Sequence, residues 1–495
     1  MEEVKELNNE TNGEGISLNS DKLRNTPMGK LLFSMALPAI ISMLIEALYN
    51  VIDGIYVSQW QPEAFDAFGY GRPLFMIVIA VGIGIGVGSN VFVARQLGFG
   101  NKEKANQVAK TAFVLAVAAW LLFFVLAWVL PKPFIKIYNG VSQTTVDRYM
   151  EYVPYYMMGC LFSMLSMVGS KILQATGNMR VPMISQTLGC LTNIILDPVF
   201  IFKDAKLFFF IPVKGLGMGM SGALIATLIG QFLSCAYVLG AFLFRKQDVD
   251  FFPKGLKFTF KNVKAIFNIG LPNFILNAVG SFTTIILNYI LNNYDYGVTI
   301  YTAYFTCQSF VFMPIFGLTQ GTMPILGYSY GANLKKRFDD CFKRSLITAL
   351  CVLGAGLLAF QLFPEQIVRI FNIENQHAVE LAAKSFRIIS LCFIPAAFSI
   401  LLITLLQSLN VGVYSMLISL LRQIGFLIPL AFLFQAIFTA SPAIDMTNRF
   451  YLIFLCFPVA EILTLLFFTP IAIKKYRTIF AKRARQAEEH VTEIA

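Results

Sequence analysis

Residues 31–57 read LLFSMALPAIISMLIEALYNVIDGIYV, a run whose only charged side chains are Glu46 and Asp53. Two further apolar runs follow at 73–94 and 111–130. Each run reaches the roughly 20 residues that an α-helix needs to cross ~30 Å of hydrocarbon. These stretches predict membrane-spanning helices, so the chain is expected to be an all-α polytopic membrane protein.

The composition of the whole chain supports this prediction. Of 495 residues, 57% are hydrophobic and only 14% are charged, whereas soluble proteins have about 25% charged residues. This excludes a soluble enzyme, a secreted disulfide scaffold and a disordered protein. The eight cysteines form no CxxC pair and lie mostly in apolar segments, which is typical of small buried hydrophobes. The stretch 1–30 is polar and acidic, so no secretory signal is expected.

Glycine, proline and charged residues interrupt the apolar sequence, and the lengths of the apolar runs between them predict twelve spans. With the N-terminus in the cytoplasm, the inside segments hold 27 Lys and Arg residues and the outside loops hold 10. This asymmetry favours a cell (inner) membrane protein with both termini cytoplasmic. It also explains the net charge of +11 by contact with anionic lipid, with no nucleic-acid partner. The predicted spans are 31–57, 73–95, 108–130, 150–173, 182–202, 217–244, 263–291, 298–326, 345–363, 385–407, 413–438 and 448–473.

The two halves of the chain repeat each other at a nearly constant offset. Pro131 recurs as Pro364 and Gln174 as Gln407, and the Leu-Pro pair at 37–38 recurs at 271–272. Since each half contains six predicted spans, both halves insert in the same orientation. We therefore expect two six-helix lobes related by a pseudo-two-fold axis along the membrane normal, an arrangement suited to alternating access. The predicted parts are a cytoplasmic tail (1–27), an N-lobe (28–245), a cytoplasmic linker (246–262), a C-lobe (263–475) and a cytoplasmic tail (476–495). Both tails are expected to be disordered or to face lipid.

Several polar residues lie inside the predicted spans, where charge is costly and usually faces a cavity. Glu46 and Asp53 are two helical turns apart on one face of span 1, and Tyr49 and Asn50 fall between them. In span 5, Asn193 precedes Asp197 by one turn, and Pro198 can free backbone carbonyls. Thr227 in span 6 adds a hydroxyl. These groups are hard oxygen ligands, suited to Na⁺ or H⁺; the alternative is that both aspartates lie near helix ends in interfacial water.

Other features have two interpretations or a simple structural one. Pro38 should bend span 1, either as a static kink or as a moving hinge. Arg422 and Glu461 are either an ion pair or groups that reach the interface. Lys171 is interpreted as a helix-end anchor. The alternating glycines at 82–88 indicate close helix packing, because no strand precedes them. No Walker motif occurs, which excludes a built-in ATPase.

Four stretches resemble the multidrug and toxic compound extrusion (MATE) family, in its prokaryotic DinF and MepA-like branch. They are the Leu-Pro pair at 37–38, LYNVIDG at 48–54, NIILDP at 193–198 and GMSGALIAT at 219–227. The resemblance extends over about 28–475. It implies a V-shaped, two-lobe antiporter that needs no cofactor and expels organic cations and amphipathic compounds in exchange for Na⁺ or H⁺; we expect a monomer.

The resemblance also implies roles for individual residues. Positions that match Asp53, Asn193, Asp197 and Thr227 form a cation site in the N-lobe, and these residues would be the metal ligands if Na⁺ is the coupling ion. The position that matches Pro38 is where the first helix bends. The substrate cavity would include Glu46, which is often a neutral amide in the family, together with Tyr49 and Asn50.

The expected mechanism is competition between coupling ion and substrate at the two aspartates, with a shift of span 1 at Pro38. The main alternative is a lipid-linked precursor flippase of a related fold. A flippase that moves pyrophosphate-linked lipid should line its cleft with several Arg and Lys residues, whereas the predicted spans contain mainly Arg387 and Arg422. A membrane-embedded enzyme has little support, because the predicted spans contain no histidine.

Overall fold

The computed structural model describes residues 23–136, 141–207, 211–244, 247–252, 255, 259–291, 293–294, 296–369, 375–409, 411–440 and 449–494. The first half contains α1 (Met28–Trp60), α2 (Pro62–Gly98), α3 (Lys102–Val129), α4 (Pro131–Ile135), α5 (Gln143–Gly159), α6 (Leu161–Ala175), α7 (Arg180–Ile201) and α8 (Met220–Phe244). A short hairpin, β1 (Asp204–Leu207) and β2 (Ile211–Lys214), precedes α8.

The second half begins with α9 (Phe260–Leu291), α10 (Gly297–Gly331), α11 (Lys335–Leu362), α12 (Pro364–Arg369), α13 (Gln376–Ser390) and α14 (Phe393–Ser408). It continues with α15 (Gly412–Leu420), a π-helical turn (Leu421–Leu427), α16 (Ile428–Ala440), a 3-10 helix (Phe450–Leu455) and α17 (Cys456–Ile494).

The membrane character of these helices agrees with the predicted spans. In the described part of the chain, nine helices are long and apolar enough to cross a membrane, and two bent helix pairs raise the number to eleven. The 32 residues of α9, about 48 Å of helix, coincide with the seventh predicted span. In the described part of the chain, each predicted span thus falls on one helix or on successive helices. The hairpin β1–β2 was not predicted; it lies in the loop between spans 5 and 6.

The repeat predicted from the sequence is visible in the order of elements. The starts of α3, α4 and α5 precede those of α11, α12 and α13 by one constant offset. The fourth helix of each half is bent at the same place, by 45° between α5 and α6 and by 42° between α13 and α14. The two halves thus fold as copies of one unit; the lobe boundaries 28–245 and 263–475 stay predictions.

Short polar residues begin several of these helices. The Asn101 side chain accepts a hydrogen bond from the backbone N–H of Lys104 (3.0 Å) at the start of α3, and Asn375 caps α13 in the same way. Such caps satisfy backbone donors that the first helical turn leaves without partners. Gly217 and Gly219 have φ of 65° and 61° before α8. A Cβ at Gly219 would collide with the Trp60 ring, so this glycine turn lets α8 enter closely packed surroundings.

Glycines also determine how closely the two lobes approach. The lobes meet where the first half of α1 packs on the second half of α10, and where the second half of α2 packs on the first half of α9. We call this contact the seal. A Cβ added at a glycine of each close pair would strike backbone of the opposite lobe; the pairs are Gly270 with Gly84, Gly88 with Ile266, Gly317 with Ile40, and Gly321 with Ala36. Gly331 of α10 meets the backbone of Arg95 of α2 in the same way. Close packing by the glycines at 84 and 88 is therefore confirmed.

The C-terminal segment differs from the prediction of a disordered or lipid-facing tail. The helix α17 continues to Ile494, and Phe480 is buried. Its ring lies 5.3 Å from that of Phe338 and 6.1 Å from that of Tyr330. These aromatic contacts stabilise at least the first two turns beyond Lys474. Residues 1–22 of the predicted N-terminal tail lie outside the described residues. All eight cysteines are free in the described structure, and six of them are buried.

Candidate functional site

The polar face of α1 points into the N-lobe, where this helix packs against α7. Asp53 is only 4% exposed, although it lies two turns from the end of α1. Tyr49 and Glu46, one and two turns earlier, are half-buried. Asn50 belongs to the same helix, but its side chain lies outside the described part of the structure. Pro38 lies inside α1, which is one uninterrupted helix; its role as a hinge stays a prediction.

The helices α7 and α8 bring the second group of predicted residues together. They cross closely because Gly189 and Gly230 face each other, and a Cβ on Gly230 would lie 2.7 Å from the carbonyl oxygen of Gly189. At this crossing the side-chain amide of Asn193 donates to Asp197 Oδ1 (3.1 Å) and to Thr227 Oγ1 (3.2 Å). All three side chains are buried, and Asp197 is fully inaccessible. One amide thus holds a carboxylate and a hydroxyl in place.

The carboxyl groups of Asp53 and Asp197 lie within hydrogen-bonding reach of each other. In addition, Asn193 Oδ1 and Asp197 Oδ2 are buried acceptors that receive no hydrogen bond from an N–H or O–H group of the described residues. Buried acceptors are normally paired, and two adjacent carboxylates repel each other strongly at low dielectric. The arrangement can be relieved by a proton shared between the carboxyl groups, or by a small cation held by their oxygens.

Aromatic residues of α5 lie beside this pair and were not predicted from the sequence. Tyr152 and Tyr156 are buried and stack with ring centroids 6.0 Å apart. The Tyr152 hydroxyl is hydrogen-bonded to Thr227, and that of Tyr156 to Gln231. The close spacing of four tyrosines, at 149, 152, 155 and 156, was the available signal. They supply an apolar wall with polar edges, as drug-binding cavities usually have.

A second polar cluster lies beside α1, between the lobes. Lys171 of α6 donates to Gln320 Oε1 of α10 (2.7 Å) and to Gln174 Oε1 (3.2 Å). Its ammonium group also attracts the carboxylate of Glu46. The interpretation of Lys171 as a helix-end anchor was wrong, because its ammonium group donates to Gln320 of the opposite lobe.

The C-lobe has its own intramembrane charges. Arg422 Nη1 lies 3.0 Å from Glu461 Oε1, and the Ser399 hydroxyl donates to Glu461 Oε2 (2.8 Å). Arg422 belongs to the π-helical turn, an irregularity that is frequent at functional sites. Of the two interpretations given above, the ion pair is correct. In contrast to the aspartates of the N-lobe, Glu461 has a cationic partner.

Known proteins resemble this chain over most of its length. A family model described as MatE matches residues 38–199 and 269–433, stretches of similar length in the two halves. A FAD transporter of Shewanella oneidensis is 23% identical over 414 residues, which cover 83% of this chain and 88% of the relative. Multidrug export protein MepA of Staphylococcus aureus is 22% identical over 418 residues, with coverage of 83% and 88%.

The fold has solved counterparts. A structure described as the outward-facing conformation of a multidrug resistance MATE family transporter of the MOP superfamily superposes with a TM-score of 0.84. The sequence identity is 23%, and the alignment covers 94% of this chain and 99% of that chain. This likeness confirms the predicted fold: two lobes that together contain twelve transmembrane helices.

Proposed function

This chain belongs to the MatE family of multidrug efflux transporters, and we propose that it is a secondary active antiporter. It exports organic cations and amphipathic drugs by alternating access, in exchange for H⁺ or Na⁺. It works as a monomer in the cell (inner) membrane with both termini in the cytoplasm. No cofactor takes part, and the coupling ion is a second substrate.

One observation supports ion coupling above all others. Asp53 and Asp197 are buried side by side in the N-lobe, and acceptor oxygens of Asn193 and Asp197 lack donors among the described residues. A buried carboxylate pair without a cationic partner is costly unless a proton or metal ion neutralises it. Binding of the coupling ion therefore has a large free-energy effect on α1 and α7, the helices that carry the two aspartates. Thr227 and Asn193 complete the oxygen-rich site.

The contacts between the lobes support an assignment of the side of the membrane to which the cleft between the lobes opens. The seal involves the N-terminal half of α1 and the C-terminal half of α10, so it lies on the side of the molecule where α1 begins. With both termini in the cytoplasm, this side is cytoplasmic and the cleft opens outward. The outward-facing conformation of the structural neighbour is in keeping with this assignment.

Coupling then follows from the position of the aspartates. An ion that enters from outside neutralises the pair and lets α1 and α7 pack more closely, with Pro38 as the hinge of α1. A cationic substrate attracted by Glu46 and the aspartates, and held beside Tyr49 and Asn50, loses this attraction and leaves. Competition between ion and substrate for the same carboxylates makes transport an exchange, since the two are not bound together.

A reconstituted transport assay tests this function. Purified protein in proteoliposomes is given a fluorescent organic cation and an imposed H⁺ or Na⁺ gradient in turn. We expect one gradient to drive dye movement in the wild type and in the control Asp147→Asn, an exposed acid outside the site. Asp53→Asn should abolish it. Unchanged transport by a folded Asp53→Asn protein would exclude this coupling mechanism.

The same experiment separates the antiporter from the alternative, a lipid-linked precursor flippase. If neither gradient moves the dye while a labelled lipid precursor crosses the bilayer, the flippase replaces the antiporter. The described contacts favour the antiporter, because two cationic side chains found between helices, Lys171 and Arg422, both lie beside carboxylates.

A further inference from the structure

The contact between Lys171 and Gln320 joins the two lobes directly. Lys171 belongs to the N-lobe and Gln320 to the C-lobe, and 149 residues separate them. The other partners of the ammonium group, Gln174 and Glu46, both belong to the N-lobe. Gln320 also donates to the sulfur of Met43 in α1. When the lobes separate at this level, Lys171 therefore keeps two partners and loses one.

This cluster lies among the glycines of the seal, and a Cβ on Gly86 would lie 2.8 Å from Lys171 Cγ. Gln320 lies between Gly317 and Gly321, the two glycines of α10 that press against α1 in the seal. Glu46, Lys171 and Gln320 are only half-buried, whereas the glycines beside them are fully buried. Glu46 is two turns from Asp53, about 10 Å along α1. Glu46 and Lys171 thus place charge at the seal itself, and the Glu46 position is two helical turns from the carboxylate pair.

The chemistry of the ammonium group indicates what it can bind. In the closed seal its hydrogen bonds to Gln174 and Gln320 go to neutral amide oxygens. A carboxylate is a stronger acceptor for an ammonium group than an amide, because the attraction between opposite charges adds to the hydrogen bond. Once Gln320 has moved away with α10, the donor it occupied is available to an acidic group on the cargo.

We propose that Lys171 is a substrate-binding residue that takes a carboxylate of the transported compound, and that Gln320 displaces this carboxylate when the cytoplasmic side closes. The inference rests on the proposed exporter function and deepens it. When the seal is open, the cluster of Glu46 and Lys171 accepts amphipathic compounds that carry an acidic group as well as plain cations. Gln320 makes release part of the closing movement, since the lobe contact and the cargo compete for one ammonium group.

A matched pair of dyes tests the inference. Rhodamine 110 has a free carboxylate, and rhodamine 123 is its methyl ester. Binding of each dye to the detergent-purified full chain is measured by fluorescence anisotropy, which needs no gradient. We expect Lys171→Met to weaken the binding of rhodamine 110 at least about tenfold, as for loss of one charge-assisted contact. The affinity for rhodamine 123 should change less than about threefold. The exposed Lys336→Met is the matched control. Gln320→Leu should tighten rhodamine 110 alone.

Further variants keep the result interpretable if Lys171→Met misfolds because Glu46 loses its partner. Glu46→Gln/Lys171→Met removes both charges and should show the same selective loss of rhodamine 110 binding. Lys171→Arg should retain the binding of rhodamine 110. Equal effects on both dyes, no effect on either, or no rhodamine 110 binding by the wild type would overturn the inference. Gradient-driven export is scored separately. If Lys171-dependent binding persists while no gradient moves either dye, the exporter function fails and the recognition site stands.

Discussion

The two lobes are copies of one fold with different polar chemistry. Their helices follow in the same order at a constant offset, and their fourth helices bend at the same point. The functional side chains are not repeated. At the positions that correspond to Asp53, Asp197 and Thr227, the second half has Leu287, Leu430 and Ala460, whose side chains cannot bind an ion.

The charges that the C-lobe does have are arranged in the opposite way. Glu461 is neutralised by Arg422 and accepts a hydrogen bond from the Ser399 hydroxyl. Asp53 and Asp197 face each other with no cationic partner among the described residues. A buried acid with a fixed counter-ion contributes to packing, and a buried acid without one must bind something from solution. The duplicated fold thus supports a static ion pair in one lobe and a proposed ion-binding site in the other.

The largest expected effect is on function in the N-lobe. Asp197→Asn should lower gradient-driven transport by more than about tenfold, because the remaining carboxylate no longer needs a neutralising ion. Its apparent melting temperature should equal or exceed that of the wild type, because a repulsive pair is removed. Proteoliposome transport and thermal unfolding in detergent measure the two quantities. A variant that loses stability together with transport would show that the pair is structural.

In the C-lobe we expect the opposite result, a loss of stability without a loss of ion coupling. Arg422→Met leaves Glu461 buried without a cationic partner, which costs about 3–5 kcal/mol and lowers the apparent melting temperature at a fixed scan rate. The double variant Arg422→Met/Glu461→Met should recover most of this loss and retain ion-coupled transport. If the double variant folds well but no longer couples, the C-lobe pair takes part in ion coupling and the contrast between the lobes fails.

The smallest expected effect concerns one hydroxyl group in each lobe, that of Thr227 in the N-lobe and that of Ser399 in the C-lobe. Thr227→Val removes the oxygen that accepts from Asn193 and should weaken coupling-ion affinity by about 1 kcal/mol, measured as a shift of the ion concentration that gives half-maximal transport. Thr227→Ser should behave like the wild type. The counterpart Ser399→Ala should alter melting temperature only; a change in its ion dependence would contradict the assignment.

Part of the candidate site could be predicted from the sequence. Asp53, Asn193, Asp197 and Thr227 were selected because polar groups are rare in apolar helices and because they match a family motif, and the structure places them together. Their role in coupling remains a proposal.

Other parts of the site could not be predicted. Tyr152 and Tyr156 were missed, because their close spacing is a weak signal in a chain with 19 tyrosines and 48 phenylalanines. Lys171 was misinterpreted, because its partner Gln320 is remote in sequence and belongs to the other lobe.

The sequence by itself determined that the chain is helical, that it crosses the membrane about twelve times and that its halves repeat. These properties are local, since the length of an apolar run and its distance from its copy can be read along one dimension. The tertiary structure alone decided which polar side chains meet. That depends on the rotation of each helix and on how closely neighbours approach, as where Gly189 faces Gly230 and Gly84 faces Gly270. For this reason Lys171 bridges two lobes, Arg422 neutralises Glu461, and the two aspartates lie side by side.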